Sequence, residues 1–195
     1  MQRLLASIFV VCLLAGAAGA HAQAVYAASR RGTQITVGGI GSLFQPDFQG
    51  DWTATAPYYP VAHSAQYPLI GIGAYVDFKK SRWIQFEAEG RWLRWNQYHQ
   101  IDQDVYQIGP RIPIHRFGRF TPYGKALVGT AKMRFDQLGH TGSFTDLAFG
   151  GGVDVRVSRR FSLRMADVEY QYWPRWGTST ISPYGVSVGV GYRVY

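Results

Sequence analysis

The chain has 195 residues, a formal net charge of +8 and a single cysteine. Its length is that of one domain. A lone cysteine excludes an intrachain disulfide framework, and the basic residues are scattered instead of forming the continuous stripe that nucleic-acid binding would require.

The first 22 residues have the composition of a secretory signal peptide. Arg3 provides a basic start, residues 4–15 are apolar, and Ala20-His21-Ala22 fits a small-x-small cleavage site. We expect Sec-type export, removal of residues 1–22, and a mature domain of residues 23–195 with 19 basic and 12 acidic residues. Cys12 lies within the predicted signal peptide, so no thiol chemistry is expected. Export also argues against a nucleic-acid partner, and no later segment is apolar enough to predict a transmembrane helix.

Eight long amphipathic strands are predicted after the signal peptide. They cover residues 33–45, 67–78, 83–95, 101–114, 120–135, 143–157, 161–173 and 181–195. Strands in soluble proteins usually have about five or six residues, so these lengths suit a tilted membrane crossing. The connections alternate between short basic turns, such as 79–82, and longer segments, of which 46–66 is the longest. This alternation predicts that both chain ends face the periplasm.

Each predicted strand has one apolar face and one face of small or charged residues. In the second strand Ile70, Ile72 and Val76 share a face, opposite Gly71 and Asp77. The apolar faces would point outward in a transmembrane barrel and inward in a soluble, lipocalin-like barrel. Aromatic residues at the strand ends favour the membrane, since they are stable at the interface; they are Trp92, Trp95, Tyr172 and Trp173 at one level, and Phe78, Trp83, Phe120, Phe161 and Tyr192 at the other.

Two residues do not fit this pattern. Pro110 lacks a backbone donor inside the fourth strand, so we expect a bulge or a strand end there. Arg164 falls on the lipid-facing parity of the seventh strand. Either its side chain extends to the interface or the strand shifts phase.

The opposite parity places charged side chains in the barrel interior. Because eight strands enclose little more than side chains, we expect these charges to pair and plug the lumen, with a gated ion path as the alternative. The predicted lumen charge network comprises Asp77, Glu87, Glu89, Arg91, Arg111, Lys125, Asp154, Arg156, Asp167, Glu169 and Arg193.

The final strand carries a recognisable motif. The pattern Ser187-x-Gly189-x-x-Tyr192-x-Val194, followed by Tyr195, resembles the C-terminal signal of bacterial outer-membrane β-barrels. The resemblance implies recognition by the barrel-assembly machinery. Nearly the whole mature chain resembles the OmpA-type transmembrane domain, which implies an all-β, eight-stranded antiparallel up-and-down barrel surrounded by outer-membrane lipid.

These observations predict a structural outer-membrane protein whose surface loops serve in adhesion or bind an unknown ligand or partner. Candidate binding residues are the loop aromatics Phe48, Trp52, Tyr58 and Tyr59. Barrels resembling this one include lipid-modifying enzymes, which remain the runner-up. His63, His99 and His140 map to outer loops, but no serine lies at a matching strand spacing, so no catalytic residue, metal or cofactor is predicted. A small-solute channel or a soluble ligand-binding barrel is a weaker alternative.

Overall fold

In the described part of the chain, the alternating pattern forms β-strands throughout. The computed structural model describes residues 33–46, 68–80, 85–95, 101–135, 140–176 and 179–194, so the predicted signal peptide lies outside it. The strands are β1 (Gln34–Gln45), β2 (Leu69–Lys79), β3 (Gln85–Trp95), β4 (Ile101–Pro113), β5 (Phe120–Phe135), β6 (His140–Arg156), β7 (Phe161–Trp176), β8 (Ser179–Ile181) and β9 (Tyr184–Arg193).

The strands form a closed antiparallel barrel. Each of β1 to β7 pairs with the next, and β9 pairs with both β7 and β1, which closes the sheet. β8 continues the line of β9 beyond Ser182 and Pro183, so β8 and β9 together make the eighth barrel strand. Proline has no N–H for the ladder, and the Pro183 carbonyl instead accepts a 2.7 Å hydrogen bond from the Gln171 amide. The predicted eight-stranded barrel is confirmed.

Side-chain exposure shows which face points outward. On β2, Ile70, Ile72, Val76 and Phe78 are 40 to 53 % exposed, whereas Asp77 is 6 % exposed. The apolar face therefore covers the outside of the barrel and the polar face lines its lumen. This excludes the soluble barrel with an apolar interior, and it matches a protein surrounded by lipid.

The aromatic residues mark the two ends of the barrel, with one exception. Phe78, Phe120 and Phe161 are exposed at the periplasmic end, which carries the short turns, and Trp95 and Tyr172 are exposed at the extracellular end. Trp173, expected at this outer level, is instead completely buried in the lumen. That part of the prediction is wrong, because Trp173 shares the inward parity of Glu169 and Gln171.

Pro110 does not interrupt β4, so the expected bulge or strand end is wrong. Its side chain points outward, and it pairs with Phe86 of β3. On the other side, β5 keeps a single register before and after positions 109 and 110, which have no partner in that ladder. The missing proline donor falls in this gap.

Arg164 points into the lumen because β7 shifts phase next to it. The register slips between Arg164 and Asp167 against β9, and between Gly151 and Val153 against β6. Ala166 adopts a left-handed φ of 48° at the slip. This bulge lets Arg164 and Asp167, each 1 % exposed, point inward together. Of the two explanations considered for Arg164, the phase shift is the one observed.

The seam between β1 and β9 is rich in glycine. Gly38 pairs with Gly191, Gly41 with Val188 and Ile40 with Gly189. The Tyr75 ring covers the lumen side of Gly38, and a Cβ added there would overlap that ring.

Among the described residues, no helix has the length and apolar character needed to span a membrane.

Candidate functional site

Nine charged side chains meet inside the barrel, and we refer to them as the lumen cluster. Every one of them is at most 6 % exposed. Five strands contribute, because inward positions recur at every second residue and the register places them at similar depth. The members are Asp77 of β2, Glu87, Glu89 and Arg91 of β3, Arg111 of β4, Lys125 of β5, and Arg164, Asp167 and Glu169 of β7.

Lys125 lies at the centre of the lumen cluster. Its Nζ is 2.8 Å from Asp167 Oδ2, 2.9 Å from Glu169 Oε2, 3.2 Å from Glu89 Oε2 and 3.4 Å from Glu87 Oε1. Oxygens of Glu87, Glu89 and Asp167 lie within 4.8 Å of one another, a spacing that metal ligands also show. Here the ammonium group supplies the positive charge among them.

Arg164 contacts acidic side chains from three strands: β2, β3 and its own strand, β7. Its Nη2 is 2.7 Å from Glu87 Oε2 and 3.2 Å from Asp77 Oδ2, while Nη1 is 3.4 Å from Asp167 Oδ2. The guanidinium lies 3.7 Å from the centre of the Tyr75 ring. Stacking on an aromatic face suits arginine better than lysine, since the guanidinium is planar and weakly hydrated.

Arg111 and Arg91 extend the network toward the two ends of the barrel. Toward the periplasm, Arg111 Nη2 is 2.6 Å from Asp154 Oδ2 and Nη1 is 3.3 Å from Asp77 Oδ2. Toward the extracellular end, Arg91 donates two hydrogen bonds of 2.6 and 2.7 Å to Glu169 and also contacts Glu89. The paired donors of Arg91 match the two carboxylate oxygens of Glu169.

An apolar cluster closes the lumen above these charges. It consists of Ile101, Val105, Ala131, Met133, Trp173 and Ile181, each at most 3 % exposed. Trp173 links it to the polar interior, since its Nε1 donates a 3.0 Å hydrogen bond to Asp146. Gln107 also donates to Asp146. We call the six apolar residues of this cluster the apolar plug.

Several of these residues were not predicted from the sequence. Arg164 fell on the lipid-facing parity, with a phase shift as one of two explanations, and the apolar plug was not foreseen. A signal was present for the plug, because Val105, Ala131 and Met133 occupy lumen parity while being apolar.

Three predicted members of the network lie at the periplasmic mouth. Asp154 pairs with Arg111, although a quarter of its side chain is exposed. Arg156 is exposed, and Arg193 is partly exposed. Neither has a carboxylate within ion-pair distance among the residues that the structure describes. The expected pairing of all the inward charges therefore does not extend to these two arginines.

The residues of the predicted assembly signal contact both strands that flank β9, namely β1 and β7. Ser187 points inward, with its hydroxyl 2.8 Å from that of Ser42 on β1. Tyr192 packs edge-to-face on Phe161, and its hydroxyl accepts a 3.2 Å hydrogen bond from Arg160. The Val194 amide donates a 2.9 Å hydrogen bond to the Ile35 carbonyl.

Gly189 of the same signal lies where its neighbour leaves no room. A Cβ there would approach Ile40 Cγ2 to 2.6 Å.

Tyr195 lies outside the described residues, as do Phe48, Trp52, Tyr58, Tyr59, His63 and His99. The side chain of His140 is likewise not described.

A closed antiparallel barrel with an apolar outside, aromatic ends and a charged interior defines a membrane β-barrel protein. The chain belongs to the outer membrane protein beta-barrel domain family, whose model matches residues 10–193. Membership places it in the bacterial outer membrane. A search of curated proteins found no significant match.

Solved structures support the same fold. The N-terminal β-barrel domain of OprF from Pseudomonas aeruginosa is similar with a TM-score of 0.56 and 12 % identity, covering 82 % of this chain and 96 % of that domain. Neisserial surface protein A is similar with a TM-score of 0.54 and 13 % identity, covering 83 % and 96 % of the two chains. OprG from Pseudomonas aeruginosa gives a TM-score of 0.50 and 10 % identity, with coverage of 84 % and 96 %. At these identities the likeness concerns the fold alone.

Proposed function

We propose that this protein is a non-catalytic structural barrel whose lumen is sealed and whose interactions occur at its surface. The observation that carries the proposal is the position of Lys125 among four carboxylates, on the periplasmic side of the apolar plug. Buried charge pairs resist separation, since a carboxylate left without its partner must be rehydrated or neutralised. The plug adds a second barrier, because its apolar side chains cannot replace the hydration shell of a passing ion.

The two barriers act on different solutes. The lumen cluster fills the cross-section with Arg91, Arg111, Lys125 and Arg164 and their acids, which leaves no wide water column in an eight-stranded barrel. The apolar plug excludes water next to Trp173 and Met133. A small hydrophilic solute would have to displace both, so diffusion through the lumen is not the proposed role.

With the lumen sealed, the proposed binding surface is the extracellular side. Phe48, Trp52, Tyr58 and Tyr59 in the longest connection remain our candidates for contacting a sugar, a lipid or another protein. The adjacent barrel end is rigid, because strand pairing extends to Gln45 and Leu69 on either side of that connection. A rigid end is a suitable support for a binding loop.

Export and assembly complete the proposal. The signal peptide would direct the chain to the Sec pathway. The assembly machinery would recognise the strand that contains Ser187, Gly189 and Tyr192. We do not propose catalysis. The histidine side chain that the structure describes, that of His115, packs edge-to-face on Phe117 in a periplasmic turn.

Planar bilayer recording tests the sealed lumen. The wild-type protein, folded and purified, should show no steady porin-sized conductance. The variant Trp173→Ala with Met133→Ala truncates the tryptophan and the methionine of the plug and should give small, flickering currents. The matched control is Tyr172→Ala, which removes an outward aromatic beside Trp173 and should leave the membrane tight. A stable, large conductance from the wild type would contradict the proposal and indicate a small-solute channel.

A further inference from the structure

The periplasmic mouth of the barrel contains a cavity of about 540 Å³, which we call the periplasmic basin. Its wall carries five basic side chains but only two acidic ones. The basic residues are Lys79, Arg111, Arg116, Arg156 and Arg193, and the acidic residues are Asp77 and Asp154. Hydroxyl groups of Thr36, Thr121 and Ser162 also line it.

The two acids of the basin are already engaged. Arg111 contacts Asp154 at 2.6 Å and Asp77 at 3.3 Å, and Asp77 also contacts Arg164 deeper in the lumen. The other four basic residues have no carboxylate within 4.0 Å in the described ranges. Arg116 donates its Nε hydrogen to the carbonyl of Gly118 within its own turn. The basin therefore has an excess of positive charge that the protein does not balance locally.

Arg193 provides a second observation. Its Nε is buried and has no hydrogen-bond partner among the described residues. An unsatisfied buried donor on a charged group is costly, and native proteins usually supply a partner for it. Arg193 is also close enough to Arg116 and Arg156 for their positive charges to repel one another. Lys79 is repelled in the same way by Arg193 and Arg116. Both costs fall when an anion enters the basin.

We propose that the periplasmic basin binds a multivalent, phosphate-bearing anion. Guanidinium groups form paired hydrogen bonds to phosphate oxygens, and Lys79 adds a point charge with three donors. Four uncompensated cations match an anion with two or more negative charges. Monovalent anions should bind far more weakly, since they cannot contact cations on several sides of the basin at once.

The shape of the basin bears on the source of the phosphate. The barrel wall surrounds the lining residues, whereas the phosphates of the inner leaflet lie outside that wall. A soluble periplasmic anion reaches the basin directly, and a lipid headgroup must fold over the rim. The chemistry is the same for both sources, so the experiment has an arm for each.

Lysine acylation in the wild-type protein is the first test. The protein is placed in nanodiscs of zwitterionic lipid and treated with an acetylating reagent, with or without tripolyphosphate, and each lysine is quantified by mass spectrometry. Lys79 lines the basin, whereas the next residue, Lys80, is exposed outside it. Tripolyphosphate should slow acetylation of Lys79 at least fivefold and change that of Lys80 less than twofold. Equal protection of both, or of neither, would overturn the proposal.

Paired arginine variants give an independent test by calorimetric titration with tripolyphosphate. Arg156→Gln with Arg193→Gln should weaken binding at least tenfold. Arg119→Gln with Arg159→Gln removes the same charge at the same end, from turns outside the basin, and should weaken binding less than threefold. Equal weakening would show diffuse attraction without a site, which contradicts the proposal.

Lipid composition then separates the two sources. Nanodiscs containing phosphatidylglycerol are compared with the zwitterionic ones. If the anionic lipid abolishes tripolyphosphate binding, the basin takes a lipid phosphate. If binding is unchanged, the ligand is a soluble anion. Either result supports a phosphate site, whereas absence of binding in both kinds of nanodisc would refute it.

Discussion

Replacing Lys125 with methionine should destabilise the barrel more than any single surface change. Methionine keeps the length and apolar stem of lysine but removes the ammonium group, which contacts Asp167, Glu169, Glu89 and Glu87 within 3.4 Å. Removing one partner of a buried ion pair costs about 3–5 kcal/mol, and four acids share this partner, so we expect a loss of about 5 kcal/mol.

The free energy of unfolding is measurable by urea titration of the protein in lipid vesicles, with tryptophan fluorescence and gel mobility as readouts. Lys132→Met is the matched control on the same strand, because Lys132 is exposed on the outside of the barrel. The control should change stability by about 0.5 kcal/mol or less. A loss for Lys125→Met no larger than that of the control would refute the buried-charge argument.

A charge-balanced double variant separates lost attraction from lost packing. Asp167→Asn removes the acid nearest to the ammonium group, at 2.8 Å. Combined with Lys125→Met, it should recover about 1–2 kcal/mol relative to Lys125→Met alone, because less uncompensated charge remains buried. Strict additivity of the two losses would show that the two side chains are not coupled.

Two further predictions use the same urea titration. Val188 is 59 % exposed and lies midway between Tyr184 and Tyr192, roughly 13 Å along the strand from each, so Val188→Arg should cost about 2–4 kcal/mol and Val188→Leu about 0.5 kcal/mol or less. Equal losses would mean that this face does not meet hydrocarbon. Ala166 has a φ of 48°, so Ala166→Gly should raise the free energy of unfolding by about 1 kcal/mol. Ala88→Gly, in a regular strand, should lower it by about 0.5–1 kcal/mol. A similar loss of stability at both positions would show that the bulge is unstrained.

The barrel and the orientation of its faces could be predicted from the sequence because they depend on local, repeated features. A strand places alternate residues on opposite faces, and this pattern recurs in strand after strand. Eight repetitions make up for the weakness of each single segment. The alternation of Val186, Val188 and Val190 in the last strand therefore indicated its lipid-facing side directly.

The exceptions arise where that parity changes within a strand. The slip that turns Arg164 inward had an indirect signal, the charge of Arg164 on the lipid-facing parity, but neither Met165 nor Ala166 is the glycine that often marks the position of a bulge. Trp173 is a different case. It keeps the parity of Glu169 and Gln171, and the prediction failed because its aromatic character was given more weight than its position.

The pairing pattern inside the lumen was also beyond the sequence. Lys125 contacts acids of β3 and β7, and neither strand is its neighbour in the sheet. Such contacts depend on strand register and tilt around the whole barrel, which no individual segment encodes. For the same reason, the sequence pattern did not separate Arg156 and Arg193 at the mouth from the paired arginines deeper inside.

The glycine-rich seam has a consequence for the order of folding. Most strand pairs join neighbours in the chain and form by local zippering, but β1 meets β9 only after the whole chain has curled round. The hydroxyls of Ser42 and Ser187, 145 residues apart, lie at that junction. Closing so long a loop carries the largest entropic cost, and strands with few side chains slide easily past each other. We therefore expect closure of the barrel to be the slow step of folding. The contact between these two serines should help to favour the correct register of β1 against β9 over registers shifted along the strands.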